Sequence, residues 1–203
     1  MNSIKIKLLL VVCFGVLFAG NNTRYELGDT VADFRLKNVD GKMVSLADYK
    51  NAKGAIIIFD CNTCPYSKAY NSRILALNKK YAGAGFPVVA INANDADKSP
   101  GDSYSEMIDV AKRKGYDFPY LVDESQAVAK AFGATNTPHV FILKKEGDAF
   151  KVAYIGTIDN NARNESDADK KYVESAVDAL LAGKAVENPK TKAVGCGIKW
   201  KNV

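Results

Sequence analysis

The sequence predicts an α/β fold in which helices cover both faces of a central mixed β-sheet. Three observations predict it. Two unbroken apolar runs, Ala55–Ile58 and Phe86–Ile91, have the length and β-branched content of strands buried on both faces. Between them, Tyr70, Ile74, Leu77 and Tyr81 recur at helical spacing, which makes a strand–helix–strand crossover. Later, Val140–Leu143 and Phe150–Ile155 flank the turn Lys145-Glu146-Gly147-Asp148 and are followed by an amphipathic stretch, a hairpin and then a helix.

Residues 1–20 have a basic lead at Lys5 and Lys7, an apolar run from Leu8 to Phe18, and small residues Ala19-Gly20, the layout of a cleaved secretory signal peptide. The run is too short for a transmembrane helix, which needs about 20 apolar residues, so no integral span is expected in the mature chain. Residues 21–183 read as one domain and residues 184–203 as a basic, irregular tail. Residues 21–31 form an extended lead-in. Phe34, Leu36 and Val39–Val44 predict an N-terminal β-hairpin about Asp40-Gly41. Leu46–Tyr49 makes one helical turn, and Gly54–Phe59 is the central strand. The helix that follows carries Pro65 in its first turn, where a missing N–H costs nothing, with Lys68, Arg73 and Lys79 on its other faces. Asn92–Gly101 reads as a polar loop. Ser103 with Glu106, and Asp123 with Gln126, predict capping boxes for two further helices. Phe118–Val122 is a short extended segment, Thr137-Pro138 leads into the hairpin, and Asp167–Leu181 is the last helix.

Composition bounds the function. With 47% hydrophobic and 25% charged residues in 203, the chain is neither disordered nor membrane-spanning overall. Removing the leader takes two lysines and lowers the formal charge from +5 to +3. That charge is spread thinly, so no nucleic-acid partner is expected. Of four cysteines, the leader takes Cys13 and leaves Cys61, Cys64 and Cys196. Export delivers the chain to a periplasmic or extracellular compartment where disulfides persist, and an odd count predicts one pair and one spare thiol.

Cys61 and Cys64 stand where a strand gives way to a helix, a compact arrangement for making and breaking a disulfide. Helix-start amides favour a thiolate on the outer cysteine, and the second cysteine sits one turn in. A zinc site would need two more ligands, for which only Cys196 and His139 offer themselves; no metal is expected. Asp60 could relay a proton but reads first as a solvated strand end. His139, the single histidine, reads first as a half-buried strand residue. Cys196, near Lys192, Lys199 and Lys201, is a third redox thiol, a partner for another protein, or a small buried residue. Trp200 packs the tail.

The strand–C-x-x-C–helix order, the later Thr137-Pro138 and the closing β-β-α resemble thioredoxin, over residues 28–183. Leu27-Gly28-Asp29, Phe34, Asp40-Gly41-Lys42, Leu46 and Phe118-Pro119-Tyr120-Leu121-Val122-Asp123 are similar to the redoxin (alkyl hydroperoxide reductase / thiol-specific antioxidant) superfamily. Cys61-Asn62-Thr63-Cys64-Pro65-Tyr66 and the closing Gly195–Trp200 resemble a narrower group of bacterial thioredoxin-like proteins in it. The resemblance implies a thioredoxin-like fold, no cofactor, and partners that are protein thiols or disulfides or a small oxidant. It implies Cys61 as exposed nucleophile, Cys64 as buried resolving thiol, and Pro138 as a cis-proline whose neighbour Thr137 presents its backbone to a bound peptide. The sequence also departs from these patterns. A peroxidase would place Pro-x-x-x-Thr/Ser-x-x before its cysteine, but Gly54 and Ile58 occupy those positions before Cys61. Thioredoxin keeps a carboxylate where this chain has Ala55. Close relatives often place His where Thr63 stands, which predicts a less oxidising pair. A thiol peroxidase and a copper-handling thioredoxin-fold module using Cys61, Cys64 and His139 are the alternatives.

Overall fold

The computed structural model describes residues 24–202. Residues 1–23, with the expected leader and Cys13, and residue 203 lie outside them. Among the described residues no helix is long and apolar enough to cross a membrane.

Ten strands and four α-helices follow one another as β1 (Thr30–Val31), β2 (Arg35–Asn38), β3 (Met43–Ser45), β4 (Gly54–Phe59), α1 (Pro65–Tyr81), β5 (Val88–Asn92), α2 (Tyr104–Lys114), β6 (Tyr120–Val122), α3 (Ala127–Phe132), β7 (Asn136–Thr137), β8 (His139–Glu146), β9 (Ala149–Gly156), α4 (Tyr172–Leu181) and β10 (Cys196–Gly197). Eight strands form one sheet in the order β1-β9-β8-β4-β5-β6-β2-β3. β4, β5 and β6 are parallel, and the remaining pairings are antiparallel. This is a mixed α/β sheet of thioredoxin-like type. The N-terminal hairpin β2–β3 turns about Asp40-Gly41, with Gly41 at φ 84°. Such a positive φ suits glycine, which has no Cβ to clash.

β4 shows why its sequence is apolar throughout. Ile56 and Ile58 face Tyr70, Ile74, Leu77, Met107 and Val173, from α1, α2 and α4. Ala55, Ile57 and Phe59 face Phe132 of α3, Leu46, Phe141 and Ile198 of the tail. With both faces covered, alternation gives way to a continuous run. Its side chains at Ile56, Ile57 and Ile58 are fully buried, each contributing about 2 kcal/mol by removal from water.

Several local expectations are corrected. Arg73 is buried on α1 rather than exposed, because Asp159 meets its guanidinium at 2.5 Å and the Tyr70 ring lies under it. Neither capping box forms. Ser103 Oγ pairs with Ser105 Oγ, and the Asp123 carboxylate accepts from the Ala129 amide. Gln126, at φ 60°, turns its amide inward and donates to Ala93 O and Lys199 O. α4 begins at Tyr172, after a separate 3-10 turn at Glu165–Asp167. The tail is not simply irregular. Cys196 and Gly197 pair antiparallel with Thr137 and Asn136, and Ile198 is buried.

Candidate active site

The site lies at the carboxyl end of β4, where the parallel strands deliver the chain toward α1. Asp60-Cys61-Asn62-Thr63-Cys64 crosses from strand to helix, and α1 opens at Pro65. Pro at the first helical position is preset for helical φ and wastes no donor. Cys64 is therefore the N-cap and does not sit one turn inside the helix. Both cysteines are free thiols. Cys61 is 5% exposed and Cys64 3%, so the exposed position expected for Cys61 is corrected: both sulfurs are sheltered.

What shelters them is the strand opposite. The Thr137–Pro138 bond is cis. It brings Thr137 to both sulfurs at once, with Oγ1 3.1 Å from Cys61 Sγ and the carbonyl oxygen accepting from Cys64 Sγ at 3.2 Å. The loop between the cysteines is pinned by a residue the sequence did not single out. Asp102 accepts from the Asn62 amide at 2.6 Å, Thr63 Oγ1 at 2.7 Å, Ser99 Oγ at 2.6 Å and Asn94 Nδ2 at 2.9 Å. Burial alone would raise its pKa, but hydrogen bonds from Ser99, Asn94, Thr63 and Asn62 outweigh that and hold it below the usual carboxylate range. Asn62 is held again by Gly101 O at 2.9 Å and by the buried Tyr120 hydroxyl at 3.0 Å. The sequence signal for this cradle is the polar density of Asn92, Asn94 and Ser99 in the Asn92–Gly101 loop, with Asp102 just beyond its end.

The two thiols share a charge. Cys64 is lowered, first by a hydrogen bond from Cys61 and further by the thiol and amide of Cys196 and the amide of Ser67 in the first turn of α1. Cys61 is pushed well up, first by that same hydrogen bond, then by burial and by the negative charges of Asp102 and Asp60. Negative charge is therefore drawn to the inner sulfur, chiefly by the Cys61 thiol and only secondarily by the Ser67 amide at the helix start.

Asp60 is corrected as well. It is 3% exposed rather than solvated, and its Oδ1 has no hydrogen-bond partner. Burial raises its pKa to about 6, against hydrogen bonds from Ser67 and the Cys61 amide and the distant charge of Lys114. Ser67, also missed in the sequence, has its hydroxyl 3.8 Å from Cys61 Sγ. His139 is buried, not half-buried. Its Nδ1 accepts the Thr135 amide, its ring packs on Phe141, and burial lowers it to about 4, so it is neutral at ordinary pH. The sulfurs are not among its partners, as a copper site using it would need. Among the described residues no group of three or more His, Cys, Asp or Glu side chains is arranged to hold a metal. Cys196, the third cysteine, lies in register with Thr137 beside the pair.

A mixed sheet with two cysteines at a strand-to-helix junction, faced by a cis-proline, defines the thioredoxin-like class of proteins. Within that class, the Redoxin family model matches residues 26–172, and the chain belongs to this family. It is 27% identical over 154 residues to the thiol-disulfide oxidoreductase ResA of Geobacillus thermodenitrificans, covering 72% of this chain and 82% of that protein. Among solved structures, an uncharacterized conserved protein from Geobacillus kaustophilus superposes with a TM-score of 0.81 at 39% identity, covering 88% of this chain and 94% of that one. A hypothetical protein from Sinorhizobium meliloti gives 0.81 at 36%, covering 88% and 96%.

Proposed function

We propose that the chain is a thiol–disulfide oxidoreductase in which Cys61 attacks and Cys64 resolves. The observation that carries this reading is the placement of both sulfurs on Thr137, which gives the proton shared by the pair two seats. With the proton on Cys61, the S–H points at the Cys64 thiolate. With it on Cys64, the S–H donates to Thr137 O, and Cys61 becomes a thiolate that can accept from Thr137 Oγ1.

In that second state Cys61 attacks a sulfur of the partner's disulfide. A mixed disulfide forms at Cys61, and the other partner sulfur leaves as a thiolate. Cys64 must then lose its proton to attack Cys61 Sγ. Asp60, the buried carboxylate beside the pair and itself hydrogen-bonded by Ser67, accepts that proton. A carboxylate poised near 6 is matched to this task at neutral pH, and it stands in for the carboxylate missing at Ala55. Resolution releases the second partner thiolate and leaves a Cys61–Cys64 disulfide. The partner gains two electrons and the protein loses two; run backwards, the same steps oxidise a dithiol. ResA, the name of the Geobacillus relative, denotes this activity in that protein, which supports the reading here.

A disulfide-reduction assay with a protein substrate tests it. Cys61→Ser abolishes turnover, and Cys64→Ser stops it after one half-reaction; wild-type turnover in both variants contradicts the mechanism. The basic and apolar opening of the sequence supports export before this chemistry begins. N-terminal sequencing of protein recovered from producing cells is then expected to start near residue 20, and an intact Met1 opposes export by cleavage.

A further inference from the structure

The third cysteine has a place that the two-cysteine cycle does not use. Cys196 stands directly opposite Thr137 in the β10–β7 ladder. Opposed residues of an antiparallel pair project to the same face, with Cβ atoms about 5 Å apart. Thr137 is the residue that touches both active-site sulfurs, through Oγ1 to Cys61 and through its carbonyl to Cys64. Cys196 also acts on Cys64 directly, lowering it through its own thiol and amide, so the three sulfurs gather around Thr137.

The tail is fixed in this position on both sides of the cysteine. Before it, Gly195 lies so close that a Cβ there would meet Thr137 O at 2.1 Å, and the Gly195 carbonyl accepts from Asn136 Nδ2 at 2.9 Å. After it, the Ile198 amide donates to Thr135 O, the Lys199 amide to Asn94 Oδ1, and Lys199 O accepts from the Asp95 amide and from Gln126 Nε2. The buried Gln126 and the Ile198 side chain hold the segment that immediately follows the thiol. Cys196 is half-buried, more open than either partner.

We propose that Cys196 is a third redox thiol, which attacks Cys64 Sγ of the Cys61–Cys64 disulfide, forms a Cys64–Cys196 disulfide and frees Cys61. This rests on the thiol–disulfide reading above and deepens it. The exchange breaks one S–S bond and makes another. Cys61 leaves as a thiolate and takes up the proton that Cys196 gives to solvent, so no oxidant or reductant is consumed. In the dithiol state burial and the negative Cys64 hold the Cys196 thiol up at about 11. Once Cys64 is bound in a disulfide its charge is gone, so ionisation of Cys196 becomes easier only when there is a disulfide for it to attack. The outcome moves the oxidising equivalent under the tail and returns a reduced Cys61 to meet a second partner.

The test is disulfide mapping of the full-length protein. Reduced protein is oxidised with one equivalent of a small aromatic disulfide, acid-quenched, alkylated, and mapped by peptide mass spectrometry without reduction. Wild type is expected to give two species: Cys61–Cys64 with Cys196 alkylated, and Cys64–Cys196 with Cys61 alkylated. Cys196→Ser is expected to give the first alone, and Cys61→Ser to give Cys64–Cys196. If Cys61–Cys64 forms but the alkylated thiol is always Cys196, and Cys61→Ser yields no Cys64–Cys196 linkage, this inference is overturned while the parent reading stands. Absence of a Cys61–Cys64 linkage in Cys196→Ser overturns both.

Discussion

Asp60→Asn probes the site most informatively away from the sulfurs themselves. Asp60 is a buried carboxylate with one oxygen unpartnered, raised from 3.8 to about 6. For a carboxylate raised in the fold, the favourable contribution is complete below the unfolded value and is lost as pH rises through the folded one. Keeping it ionised inside the protein therefore costs about 3 kcal/mol well above pH 6, from 1.36 kcal/mol for each tenfold change in proton affinity. Asn is nearly isosteric and never ionises, so the variant escapes that cost. Urea unfolding of the reduced protein, wild type against variant, at about pH 4 and about pH 8 isolates the effect, because any constant change in packing cancels between the two pH values. The variant is expected to gain about 2.5 kcal/mol relative to wild type on going from the lower to the higher pH, a shift in midpoint difference of about 1–2 M urea for a protein of this class. The same variant should lose the step near pH 6 in the rate at which the mixed disulfide is resolved. A stability difference that does not change with pH, together with an unaltered rate profile, refutes the burial and proton-acceptor argument.

Two other sites give separate expectations. Asp102→Asn removes acceptor capacity from a carboxylate that holds Asn62, Thr63, Ser99 and Asn94. Charged hydrogen bonds of this kind are worth about 1.5–3 kcal/mol each, so denaturation should show a loss of that order and disulfide exchange should slow; an unchanged rate would separate the cradle from the chemistry. His139, lowered from 6.5 to about 4 by burial, contributes stability that is present above the unfolded value and is lost as pH falls through the folded one. The loss over that window is about 3 kcal/mol. His139→Gln, which keeps an acceptor for Thr135, should flatten the stability profile between about pH 6.5 and 4, and a profile as steep as wild type contradicts the assignment.

The sheet was legible where burial imposed a pattern. β4 had to be apolar throughout because both its faces are covered, α1 showed its buried side at Tyr70, Ile74, Leu77 and Tyr81, and Asp40-Gly41 marked its turn. Cys61 and Cys64 stood out by spacing and by their place between strand and helix. What stayed hidden was polar burial decided by distant partners. Arg73 could be recognised as buried only with Asp159 in view, and Asp102 only with the cysteine loop folded against it. Asp60 looked solvated because nothing in its neighbours signals that Ser67 and the end of β4 enclose it. The pairing of Cys196 with Thr137 involves strands of two residues, too short to carry any periodicity. Cys64 is the N-cap of α1 rather than a residue inside it, and the hydrogen bond from Cys61 draws the shared negative charge to this inner sulfur, the reverse of the outer one the sequence favours.

That reversal makes the identity of the attacking sulfur the point on which the account turns. A substrate disulfide offered to Cys64→Ser and, separately, to Cys61→Ser, followed by acid quenching and mapping of the trapped mixed disulfide, decides it. A stable adduct is expected on Cys61 in Cys64→Ser and none on Cys64 in Cys61→Ser. An adduct on Cys64 with Cys61 unreactive would contradict it and make the inner, lower-pKa sulfur the nucleophile.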